Sequence, residues 1–140
     1  MQCIEFGKTM LEDSGTFYPF GAEIRSDGQL QAIGGYNGEE HPDPREIYKL
    51  LAQSFAAKAK SGEILAAGLA ANVDIPAEYE PPYRDGLRVW LEGEGFARFI
   101  YVPYRSEKRG LFRKGFNVIM AEPIAVEIGP GWFSTAAVAP

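Results

Sequence analysis

The strongest periodic signal in the chain follows Asp43. Ile47, Leu50, Leu51 and Phe55 recur at helical spacing on one face. Asp43 can accept from the orphan N–H groups of a first turn, Pro44 suits the first helical position, and Glu46 completes a capping box. Lys58 and Lys60 complement the C-terminal end of the dipole, and Gly62 can take a left-handed stop. The pattern predicts a helix over residues 44–61. A rougher stripe, Ile4, Met10 and Leu11, predicts another over about residues 2–12, ended near Gly15.

Alternation takes over elsewhere. Phe20, Ala22 and Ile24 interleave with Gly21, Glu23 and Arg25, and Asp27-Gly28 offers the positive φ that a two-residue hairpin needs. A return strand should run over residues 29–36. Residues 64–75 form a long apolar strand without proline, followed by a loop carrying Pro76, Pro81 and Pro82. Residues 87–92 and 96–103 read as a hairpin around Gly93-Glu94-Gly95, and a last strand falls within 117–128, bent or held at an edge by Pro123. The order α-β-β-α-β-β-β predicts a single α+β domain over residues 1–128: an antiparallel sheet of about five strands with both helices on one face. Residues 129–140 form a tail that could pack on the sheet or on a partner.

Period-2 reading assigns Leu65, Leu69, Val73, Leu87, Val89, Leu91 and Phe99 to the helix-covered face. The helix-free face then carries the small residues Ala66, Gly68 and Ala70 beside Trp90, Phe96, Ile100 and Val102, with Arg88, Glu92 and Arg98 among them. A three-residue turn would set Trp90 opposite Arg98 as a cation–π pair. A half-aromatic, half-small face should be covered or used. The tail residues Trp132 and Phe133 could fold back over it; a second copy or a ligand could do the same.

Composition narrows the classes. Hydrophobic residues at 46% and charged residues at 24% are ordinary for a globular domain, and 140 residues make about one. A net charge of -5 disfavours general affinity for nucleic acid or anionic membranes. One cysteine, Cys3, and one histidine, His41, exclude an internal disulfide and a Cys/His metal cage. The first ten residues lack a signal-peptide pattern, and the longest apolar stretch, 64–71, is too short to cross a bilayer. The expectation is a cytoplasmic protein with no cofactor and no metal.

Two local concentrations of charge stand out. Arg105, Lys108, Arg109, Arg113 and Lys114 with one Glu107 make +4, which leaves -9 for the remainder of a chain at -5. Flanked by Tyr104, Phe112 and Phe116, they could bind phosphate, RNA or an acidic partner, or simply solubilise a strand connection. Glu39-Glu40-His41-Pro42-Asp43 crowds carboxylates around an imidazole, yet Pro42 breaks any metal-binding helix spacing and a helix dipole explains the acids. Gly34-Gly35-Tyr36-Asn37-Gly38 lacks the Lys-Ser/Thr of a phosphate loop and reads as a turn. Tyr79, Pro81, Pro82 and Tyr83 could present a polyproline II segment but suit a plain loop. Asn72 and Asp74 could close the polar end of a pocket over Ala70.

Phe17-Tyr18-Pro19-Phe20-Gly21-Ala22, followed by Asp27-Gly28 and the Asp43-Pro44 helix start, resembles a pattern in small bacterial α+β proteins, over about residues 10–105. The element order is similar to profilin-like and roadblock modules. The resemblance implies a fold and no activity.

These features point first to a non-enzymatic protein–protein binding module that also self-associates as a homodimer, with an immunity- or antitoxin-type protein as a special case. The alternative is a small-molecule domain or hydrolase-like enzyme whose anion pocket lies over Ala66, Gly68 and Ala70, bounded by Arg88, Trp90, Arg98 and Ile100. A further alternative is RNA binding through the 105–114 loop.

Overall fold

The computed structural model describes residues 2–35, 38, 42–111 and 113–133. Its order is α1 (Gln2–Ser14), β1 (Phe20–Arg25), β2 (Leu30–Gly34), α2 (Pro44–Ser61), β3 (Ile64–Asp74), a 3-10 turn at Ala77–Tyr79, β4 (Asp85–Gly93), β5 (Phe96–Lys108), β6 (Phe116–Met120) and β7 (Ile124–Glu127). The α2 boundaries follow from their caps. The Asp43 carboxylate accepts from Arg45 N–H at 2.9 Å, and Gly62 takes φ 79° while closing the last turn.

The seven strands form one antiparallel sheet, ordered β2-β1-β3-β4-β5-β6, with β7 also on β5. The strand expected within 117–128 is two segments, β6 and β7. Residues 121–123, ending in Pro123, interrupt it, so β6 pairs with residues 104–108 of β5 and β7 with residues 98–101.

The helices lie on opposite faces of the sheet, not on one. Cys3 and Leu11 of α1 share a buried cluster with Phe20, Ala70, Leu87, Val89 and Val102. Ile47, Leu51 and Phe55 of α2 pack with Ala67, Leu69 and Trp132. Register explains the difference. Leu69 pairs with Trp90 and Ala70 with Val89, so the odd positions of β3 share a face with the even positions of β4. The expectation had joined Leu69 to Val89.

No helix-free face therefore exists as expected. Ala66, Gly68 and Ala70 lie on the α1 side, where small side chains give the helix room: a Cβ on Gly68 would stand 3.5 Å from Cys3 Sγ. On the α2 side, Gly21 admits the Phe55 ring, whose Cζ would lie 2.6 Å from an added Cβ. The β4–β5 turn is also shorter than expected. Gly93 pairs with Phe96 across Glu94-Gly95, with Gly95 at φ 88°, which sets Trp90 against Phe99 and Leu91 against Arg98. A one-residue change of register exchanges faces, so the Trp90–Arg98 pair does not form.

Candidate anion-binding pocket

Arg88 stands on the α2 side of β4, where α2 places Tyr48 over the sheet. One terminal nitrogen of Arg88 donates to the Tyr48 hydroxyl at 2.8 Å, and its guanidinium carbon lies 4.4 Å from the centre of the Phe99 ring. Its Nε is buried without a hydrogen-bond partner. Among the described residues, no carboxylate forms an ion pair with it. Burial pushes the Tyr48 phenol above its ordinary value of 10.0, against the opposing charge and hydrogen bond of Arg88. The phenol thus keeps its proton at neutral pH, accepts from Arg88, and can donate onward.

A cavity of about 440 Å³ opens beside this pair. Arg88, Tyr48, Arg45 and Thr16 supply polar groups to it, while Phe17 and Pro19 supply an apolar wall. That volume and mixture suit a small ligand or part of a larger one. The Phe17–Ala22 stretch contributes structure here: Phe17 and Pro19 are buried, and Phe17 meets Phe20 edge-on at 5.6 Å.

The remaining candidate residues separate. Trp90 stacks on Trp132 at 4.1 Å between ring centres, so the tail itself covers it. Buried Glu92 holds that tail, accepting from Trp90 Nε1 at 2.9 Å, Gly131 N–H at 3.0 Å and Phe133 N–H at 2.7 Å. Ile100 packs against the α1-side core. Ala66 and Gly68 line a separate apolar hollow of about 220 Å³ with Cys3, Ile24 and Leu91. Arg98 lies on the α1 side of its strand and reaches a larger hollow, about 610 Å³, whose charged walls, Glu94, Arg98 and Glu127, are exposed. Ala66, Gly68, Ala70, Arg88, Trp90, Arg98 and Ile100 therefore do not make one pocket.

The basic segment is the β5–β6 hairpin. Arg105 lies 3.5 Å from Glu107, Arg109 donates to Asn117 at 3.3 Å, and Arg113 caps a turn through its N–H to Gly110. Lys108 and Lys114 are exposed, and Leu111 at the tip is 99% exposed. The Glu39-Glu40-His41 cluster, Tyr36, Asn37 and Phe112 lie outside the described residues. Among the described residues, no helix is long and apolar enough to cross a membrane.

The sequence pattern singled out Arg88 for a pocket over Ala66, Gly68 and Ala70, and did not single out Tyr48 or Arg45 as its neighbours. Both sit on the first turns of a helix whose start was legible, and Tyr48 flanks the apolar stripe that begins at Ile47. Compared with protein-family models, curated proteins and solved structures, the chain matches none.

Proposed function

We propose that this chain is a binding module that recognises a carboxylate or phosphate group in the Arg88 pocket. The observation that carries this reading is the Arg88 guanidinium itself. It is partly buried, oriented by Tyr48 and Phe99, and left with an unsatisfied Nε. Buried cations are ordinarily neutralised or hydrogen-bonded, and an anion in the cavity would neutralise the guanidinium charge. Among the described residues, the lining presents the Arg88, Arg45, Tyr48 and Thr16 side chains as hydrogen-bond donors and contains no carboxylate. Cover of Trp90 by the chain's own tail removes the original motive for self-association.

Thermal denaturation with acetate, succinate or phosphate, against sodium chloride of equal ionic strength, tests this reading. The wild type should be stabilised by at least one of these anions and Arg88→Gln by none, with far-UV circular dichroism confirming its fold. Equal stabilisation of both proteins, or of neither, refutes it.

A second reading, RNA binding by the β5–β6 hairpin, is favoured by the cations grouped around exposed Leu111. It requires affinity that falls steeply with salt and disappears in the Arg109→Ala/Arg113→Ala variant.

A further inference from the structure

The wall of the Arg88 pocket includes an unfinished sheet edge. The β1–β3 ladder stops at Phe20 and Ala70, while β3 continues to Asp74. Beyond Ala70, the side of β3 that faces β1 has no strand partner among the described residues. The backbone direction there can be worked out from the ladder. Ile75 N–H donates to Arg84 C=O on the β4 side, and Arg25 N–H to Gln29 C=O on the β2 side. Main-chain groups of successive residues point alternately to the two neighbouring strands. Odd positions of β3 therefore bond toward β4, and Ala70, Asn72 and Asp74 bond toward β1. Ala70 meets Phe20 there. Asn72 and Asp74 turn an N–H and a C=O each toward that edge, and among the described residues neither has a backbone partner outside the strand ladders. The Asn72 side chain is engaged elsewhere, accepting from the Tyr104 hydroxyl at 2.7 Å.

The same residues, Ala71, Asn72 and Val73, line the Arg88 cavity. Ala71 pairs with Arg88 across the β3–β4 ladder and shares its face of the sheet. Val73 lies on the same face, and a strand added at the open edge would place the residue beside Val73 there too. Its Cα would stand two strand spacings across and two residues along from that of Arg88, about 12 Å. A glutamate and an arginine reaching toward each other span that distance.

Resting on the reading of Arg88 as an anion site, we propose that the ligand is an extended acidic peptide. It adds a short strand along residues 72–74 of β3, through the main-chain groups of Asn72 and Asp74, and places a glutamate carboxylate on Arg88 and the Tyr48 hydroxyl. Main-chain bonding supplies affinity and the arginine supplies selectivity, as in other strand-addition sites.

The test uses the capped pentapeptide acetyl-Thr-Val-Glu-Val-Thr-amide, followed by amide and arginine Nε–H signals in ¹⁵N-labelled protein. Acetate should move the Arg88 Nε–H signal and leave the Asn72 amide in place. The peptide should move both. Methylating the backbone nitrogens on either side of the glutamate, or replacing it by glutamine, should each weaken binding roughly tenfold, the loss of one or two hydrogen bonds. If the peptide moves Arg88 but not Asn72, or if the methylated peptide binds equally well, the strand-addition proposal is overturned while the anion site stands. If neither acetate nor peptide moves Arg88, both fail.

Discussion

Replacing Glu92 by glutamine should unlatch the C-terminal segment. The carboxylate is fully buried, and its partners are three N–H donors: the Trp90 indole and the main chain of Gly131 and Phe133. Gly131 lies within reach of both oxygens, at 3.0 and 3.1 Å. Hydrogen bonds to a charged acceptor contribute about 1.5–3 kcal/mol each, so three give roughly 5–9 kcal/mol before desolvation of the carboxylate is subtracted. Desolvation removes several kcal/mol, which leaves a net loss of about 3 kcal/mol when an amide presents its own N–H groups to these donors. For a chain of this size, that is a fall in melting temperature of roughly 10 °C.

Trp132 reports the event directly. It stacks on Trp90 and lies 5.2 Å from the Phe55 ring, so release should red-shift tryptophan emission and open the tail to protease. Its own Nε1 is buried without a partner, which lowers the cost of letting it go. Urea denaturation of wild type, Glu92→Gln, a chain ending at Gly129, and the combination provides the cycle. In the shortened chain the glutamine substitution should cost less than about 1 kcal/mol, because two of the three donors are gone. An unchanged stability for Glu92→Gln, or an equal cost with and without the tail, refutes the latch.

Two further outcomes follow from other buried groups. Glu23 is 1% exposed and accepts from Lys58 Nζ at 2.7 Å, with Arg25 more distant at 4.0 Å. Lys58→Met should cost about 3 kcal/mol by stranding that carboxylate, and adding Glu23→Gln should recover much of it; denaturation that shows no recovery would contradict this. Cys3 is 5% exposed, and burial raises its thiol above the ordinary 9.0, partly opposed by the N-terminal amine. Iodoacetamide at pH 8 should therefore alkylate the native protein roughly tenfold or more slowly than the denatured chain. Equal rates would show that α1 does not shield the thiol.

Local rules explain much of the chain without reference to its fold. The α2 helix runs Pro44–Ser61 because Asp43, Pro44 and Gly62 are chemically committed to its ends, wherever that helix packs. Gly28 makes its turn at φ 88° for the same kind of reason, since no distant contact is needed to prefer glycine there. Alternation likewise sorts each strand into two sets of side chains. Trp132 and Phe133 were legible as apolar residues in need of cover, and Trp90 as their counterpart.

Pairing those sets between strands depends on backbone register, which long connections and turn length set. Residues 75–84 bring β3 to β4 with Leu69 beside Trp90, and the two-residue loop at Glu94-Gly95 sets Phe99, not Arg98, against the indole. Each is a matter of one residue, and each moves a whole set of side chains to the other face. The side taken by each helix is a property of how the chain crosses the sheet, which no local pattern encodes. Arg88 met Tyr48, Glu92 met the tail and the β3 edge was left open only when distant segments were brought together. Composition and spacing therefore described the elements, and three-dimensional register assembled the site.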